Sequence, residues 1–176
     1  MTVTIGPLQP SHRQHIEEIV RATGVFNEDE INVALELFDE AVTADSDYEF
    51  LGAFDGERVI GYACFGATPS TDRTYDLYWI AVHPDAQRGG AGAALMAEVE
   101  RLLAERRARL MIIETSSRVE YAATRRFYDK RGFEEAARLR DFYAPGDDRV
   151  LLSKRIGSTD PGGNAAARPL SDQAYE

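Results

Sequence analysis

With 176 residues, 44% of them hydrophobic, the chain has enough apolar material for one domain with a sizeable core and too little length for two full ones. Cys64 is the only cysteine, which excludes an internal disulfide and a cysteine-rich metal site. No stretch reads as a signal peptide or membrane span, so a soluble, cytoplasmic protein is expected. A formal net charge of −10 disfavours a nucleic-acid groove, which draws its affinity from basic residues facing phosphates, and favours cationic or amine ligands through the overall field.

Residues 2–6 (TVTIG) alternate as a short strand, and Pro10 opens a helical segment with Ile16, Ile19, Val20 and Thr23 at helical spacing, stopped by Gly24. A second helix is predicted over 28–44, with Ile31, Ala34, Leu35, Phe38 and Val42 on one face and acidic residues opposite. "YEFLGAF" and "RVIGYACFG" read as strands joined at Asp55-Gly56, a hairpin signal. The aromatic and β-branched run "TYDLYWIAV" (74–82) is a further strand. A helix over 91–107 follows, with Leu95, Val99, Leu102 and Leu103 as its stripe and Arg106 and Arg107 placed for its carboxyl-end dipole. Then come a strand "LMIIETS" (110–116), a helix over 120–130 stopped by Gly132, and strands over 133–143 and 149–156 around the turn "APGDD". The tail 157–176 has too few large apolar residues to bury and is expected to be disordered, leaving 1–156 as the folded domain. The order β-α-α-β-β-β-α-β-α-β-β describes an α+β domain with a mixed sheet flanked by helices.

"VHPDAQRGGAGAALM" (82–96) places a glycine cluster between a strand and a helix. A nucleotide-binding P-loop needs Gly-Lys-Ser/Thr, and Ala93 and Ala94 stand there instead. The dinucleotide fingerprint needs a third glycine where Leu95 stands. Two readings survive: a structural turn, and a nest of main-chain amides at a helix amino end, suited to an anion.

Gln87-x-x-Gly90-x-Gly92 after a strand ending "IAVHP", followed downstream by "RRFYDKRGF", resembles the GNAT superfamily of acyl-CoA-dependent N-acetyltransferases. The resemblance spans 2–156 and implies a mostly antiparallel sheet. It also implies acetyl-CoA as cosubstrate, a primary amine on a small molecule or protein as acceptor, and no metal. By that resemblance Ile80, Ala81 and Val82 offer their backbone to the pantetheine arm, while Gln87, Arg88, Gly89, Gly90, Ala91, Gly92 and Ala93 surround the pyrophosphate. Tyr128 matches the tyrosine that protonates the departing thiolate, and Tyr121 stands where relatives frequently carry a cofactor-binding asparagine. A homodimer through a sheet edge or an exposed helix face is compatible with it, as is a non-catalytic acyl-CoA-binding or assembly domain. Retained Tyr128 favours the enzyme. On the predicted helix, Tyr121, Thr124 and Tyr128 share a face while Ala123 and Phe127 turn to the core.

Amine acetylation needs a base for the ammonium. Asp76 occupies the strand position where relatives carry a glutamate or histidine, and strand parity sets it on one face with Tyr78 and Ile80. Glu114 is the alternative, and water a third. Thr115, Ser116 and Ser117 either line the acceptor site or cap the next helix. Asp147 and Asp148 either meet an ammonium or shape the turn. His12, His15 and His83 have no metal or triad pattern and read as structural or solvated. Cys64 reads as a buried thiol and Trp79 as core.

Overall fold

Glycines and prolines divide the chain where the sequence predicts. The computed structural model describes residues 2–43 and 46–157, so the expected disorder beyond Gly157 lies outside the described residues. β1 (Val3–Pro7) leads through a 3-10 turn at Pro10–His12 into α1 (Arg13–Thr23), which ends at Gly24 with φ 68°. α2 (Glu28–Thr43) follows, with Glu28, Asp29 and Glu30 in its first turn, where carboxylates complement the helix dipole. The hairpin β2 (Tyr48–Asp55) and β3 (Arg58–Ala67) turns at Gly56, and β4 (Thr74–Val82) has the predicted bounds. α3 (Ala91–Glu105), β5 (Leu110–Ser116), α4 (Ala122–Asp129), β6 (Glu134–Ala144) and β7 (Asp147–Arg155) complete the order.

Three local expectations change. α3 stops at Glu105, Arg107 takes φ 56° in the turn beyond it, and Arg106 reaches Glu49 on β2 (2.7 Å). An ion pair across the fold thus takes the place of an interaction with the helix end. The last turn narrows to Pro145 and Gly146 because β7 already starts at Asp147. On α4, Ala123 is exposed, whereas Tyr128 is only 5% exposed and belongs to the core. A 3-10 turn at Val119–Tyr121 delays the helix, so Ala123 falls in its first turn, ahead of the part that packs.

The strands form one sheet in the order β1-β2-β3-β4-β5-β7-β6, in which only β4 and β5 pair in parallel. One apolar core joins Leu95, Met96, Val99 and Leu103 of α3 and Tyr128 of α4 to Phe65, Leu77, Met111, Ile113 and Val150. The second core joins Ile16, Ile19 and Val20 of α1 and Ile31, Leu35 and Phe38 of α2 to Val59, Tyr62 and Ala81. Each fully buried Leu, Val or Ile contributes about 1.5–3 kcal/mol, so both cores clamp the same sheet from opposite sides. β6, at the sheet edge, is exposed along its length.

Candidate functional site

β4 and β5 pair only from Thr74 opposite Leu110 to Leu77 opposite Ile113. Beyond that point β4 stays on β3 as far as Val82, and β5 stays on β7 as far as Ser116, but the two no longer pair with each other. A gap therefore opens inside the sheet. At its apex is a β-bulge: Cys64 pairs with Trp79 and Phe65 with Leu77, which leaves Tyr78 without an opposite residue. Bulges increase twist and bend a strand, and here the bend coincides with the separation. Backbone groups on the edges of the gap need a partner, and an extended ligand bearing amides can act as the missing strand.

The same bulge breaks strand parity. Ile80 and Val82 pack into the core under α3 and α4, as Leu77 does, while Trp79 and Ala81 pack under α1 and α2. The expectation that Asp76, Tyr78 and Ile80 share a face is thus corrected. Asp76, opposite Gly66, stays with Tyr78 on the side of α1 and α2, and Ile80 turns to the other. Thr68 donates its hydroxyl to Asp76 Oδ2 at 2.6 Å. The Tyr78 hydroxyl is raised to about 12, first by burial and then by the charge of Asp76.

At the far end of β4 the chain turns sharply. Gln87 donates its side-chain amide to the Val82 carbonyl (3.3 Å), and Arg88 and Gly90 both take left-handed angles, φ 74° and 85°. The N–H groups of Ala91, Gly92 and Ala93, in the first turn of α3 at the positive end of the helix dipole, have no intrahelical partners, and among the described residues no side chain caps them. Gly89 differs from the expected set, because its N–H already bonds the Ala86 carbonyl at 3.2 Å. The two remaining glycines have different reasons. A Cβ on Gly90 meets nothing within 4 Å, so its angle alone requires glycine, whereas a Cβ on Gly92 would lie 3.2 Å from the Phe127 ring. Gly92 therefore lets α4 approach α3.

Tyr128 sits in the core beside that junction, edge-on to Phe127 and Phe133. Burial pushes its hydroxyl above the usual tyrosine range, so it keeps its proton. Tyr121, the residue preceding α4, is half-buried with the Arg118 guanidinium 5.4 Å from its ring centre. Its hydroxyl is also raised, by burial and then by the charge of Glu30.

On the α1 and α2 side, the open end of β5 meets β7 in a polar cluster. Glu114 accepts from the Tyr143 hydroxyl at Oε1 (2.5 Å) and pairs with Arg149 through Oε2 (2.5 Å). Ser116 donates to Asp147 Oδ1 (2.5 Å), and Ser117 Oγ accepts from the Asp148 N–H (2.8 Å). These two hydroxyls thus tie β5 to β7 rather than cap α4. The Asp148 carboxyl is held below its usual range by the Asp141 N–H and then by Arg138, consistent with a turn-shaping role. Arg125 fixes the intervening loop through the carbonyls of Ser116 (2.5 Å) and Arg118 (2.9 Å).

Sequence reasoning singled out Asp76, Glu114, Tyr121 and Tyr128, and all four stand around the gap or the elements beside it. It did not find Tyr143, Arg149 or Thr68, which only the register of the ladder brings to Glu114 and Asp76. The only available signal for Arg149 was its two-residue alternation with Leu151 in "RVLLSK". His12 and His83 each accept a backbone N–H through Nδ1, and Cys64 is buried with its thiol pushed up by that burial. Among the described residues no group of three metal-binding side chains converges, and no helix is long and apolar enough to cross a membrane.

A family model described as the acetyltransferase (GNAT) family matches residues 14–133. Among solved structures, one from Desulfovibrio desulfuricans, assigned as an acetyltransferase of the GNAT family, is 40% identical. It covers 88% of this chain and 99% of its own, with a TM-score of 0.85. The ribosomal-protein-S18-alanine N-acetyltransferase from Escherichia coli is 22% identical over 93% of this chain and 98% of its own, TM-score 0.73. The PaiA N-acetyltransferase from Thermoplasma acidophilum, solved with coenzyme A, is 18% identical over 88% and 99%, TM-score 0.68. The latter two share the fold. Among curated proteins none matches the chain.

Proposed function

Because the chain belongs to the GNAT family of acetyltransferases, we propose that it moves an acetyl group from acetyl-CoA to a primary amine by direct transfer. The observation that carries this reading is the gap between β4 and β5, with an uncapped helix amino end at the end of the same strand. The amides of Ala91, Gly92 and Ala93 fit an anionic pyrophosphate, which the dipole of α3 favours. The unpaired edge of β4 from Tyr78 to Val82 fits a pantetheine arm, whose amides replace a strand.

Acetyl-CoA supplies an activated acyl carbon as a thioester. The amine nitrogen forms a bond to that carbon, the carbon–sulfur bond breaks, and the electron pair leaves on sulfur. Asp76 or Glu114, both on the α1 and α2 side, takes the amine proton directly or through water. Tyr128 donates a hydrogen bond to the departing thiolate. A free thiol titrates near about 8.5 and tyrosine near about 10. With the hydroxyl of Tyr128 raised further by burial, the donor is the weaker acid and acts by stabilising sulfur's charge while holding its own proton. A cytoplasmic setting fits a chain whose one cysteine is free.

The test is a panel of amines with acetyl-CoA, followed by thiol release. At least one amine should raise release well above hydrolysis. Tight acetyl-CoA binding with no amine-dependent release would favour the acyl-CoA-binding alternative.

A further inference from the structure

Five buried polar atoms lack a hydrogen-bond partner among the described residues: His15 Nδ1, Tyr62 Oη, Trp79 Nε1, Thr115 Oγ1 and Arg149 Nε. Three of them stand around the gap. Trp79 is on β4 just past the bulge, Thr115 is on β5 past the last β4 pair, and Arg149 is opposite Ser116 on β7. A buried donor left unmade costs about 1–3 kcal/mol; Thr115 follows Met111 and Ile113 to the α3 and α4 side, so Trp79 and Arg149 are the orphan donors on the α1 and α2 side that a ligand can complete. Arg149 is the most costly of the three because its charge is permanent. One of its terminal nitrogens pairs with Glu114 and its face lies over the Phe142 ring (5.0 Å), yet Nε has nothing to donate to.

We propose that the acceptor is an α-amino acid, with Glu114 receiving the ammonium and Arg149 the carboxylate; this rests on the acetyl-transfer reading and names its substrate class. This face also carries Asp76 and the Arg118–Asp147 pair, and within it Glu114 and Arg149 form an adjacent couple of opposite sign in direct contact, with Tyr143 holding the second Glu114 oxygen. An α-amino acid presents the complementary pair, one carbon apart. A guanidinium binds a carboxylate through parallel N–H donors, and Nε supplies one that is already unoccupied. Polyamines fit poorly. They offer no carboxylate to Arg149, and a second ammonium placed there would lie against its guanidinium.

The test measures kcat/KM for the common α-amino acids and for the α-carboxamide of each, using the wild-type protein and acetyl-CoA. A hydrogen bond to a charged group contributes about 1.5–3 kcal/mol, so a productive amino acid should exceed its carboxamide by about 10- to 100-fold. The carboxamide has the less basic amine, so intrinsic reactivity biases the comparison the other way. Arg149→Lys keeps the charge and loses the fork, and should reduce the ratio below about threefold; Arg149→Gln provides a second reading should the lysine variant fold poorly. A wild-type ratio near one, a ratio retained in a folded Arg149 variant, or acetylation confined to amines without a carboxylate overturns the proposal. Should acetyl-CoA bind and no amine turn over, the acetyl-transfer reading falls separately. The carboxylate site is then decided by calorimetry of N-acetyl-amino acids against their carboxamides on CoA-saturated protein, where equal affinities overturn it and a preference of about tenfold or more for the acid sustains it.

Discussion

The two ends of the gap are built from different materials. At the α3 end the chain offers main-chain groups from one short stretch: the edge of β4, the left-handed turn at Arg88 and Gly90, and the uncapped amides of α3. On the α1 and α2 side it offers side chains from four strands: Asp76, Glu114, Tyr143 and Arg149. Backbone recognition suits a ligand part that never changes, because it tolerates varied side chains and depends on local geometry alone. Side-chain recognition suits the part that distinguishes one substrate from another.

Catalysis at the junction of the two regions should be the most sensitive to change. Tyr128→Phe keeps the ring and its packing and deletes the hydrogen bond, so the single-turnover rate should fall about 10²- to 10³-fold, with acetyl-CoA affinity nearly unchanged. A loss below about threefold would reduce Tyr128 to a packing role.

Substitution at the main-chain end should act on binding. Asp and Asn both tolerate left-handed angles, so Gly90→Asp and Gly90→Asn preserve the turn and differ in charge. Calorimetry should find acetyl-CoA weakened by about two orders of magnitude more in the aspartate variant. Equal affinities in the two would remove the anion from this helix end.

Smaller effects are expected on the side-chain end. Asp76→Asn should slow turnover about tenfold, chiefly at low pH where the amine is mostly protonated. An unchanged pH–rate profile would transfer the base role to Glu114.

Both regions depend on the cores that hold them, and these share one pH response. Burial raises the hydroxyls of Tyr62 and Tyr128, one in each core, and the Cys64 thiol. A group with a raised folded pKa contributes its stability in full below its unfolded value, near about 8.5 for the thiol and about 10 for the tyrosines, and loses it as pH climbs. Melting temperature should fall progressively above about pH 9 and steepen above about pH 10. A level curve to pH 11 would place these groups in contact with solvent.

Legibility in the sequence follows the same division. Gly24, Gly56 and Gly132 punctuated the elements correctly, and the aromatic and β-branched run over 74–82 gave β4 its bounds. The QRGGAG segment announced a helix amino end because its meaning is local. Asp76 was placed on a shared face with Ile80 because a period of two assumes an unbroken strand, and no residue near Tyr78 signals the bulge. Arg149 and Tyr143 stayed hidden because their partner, Glu114, lies far away in sequence and meets them only through the β5–β7–β6 ladder.

A crystal structure with bound CoA tests the central claim most directly. The account predicts the pyrophosphate on the amides of Ala91, Gly92 and Ala93, the pantetheine arm along the free edge of β4 from Tyr78 to Val82, and the thiol within reach of the Tyr128 hydroxyl. A cofactor bound elsewhere on the fold, leaving the gap between β4 and β5 to another occupant, would contradict it.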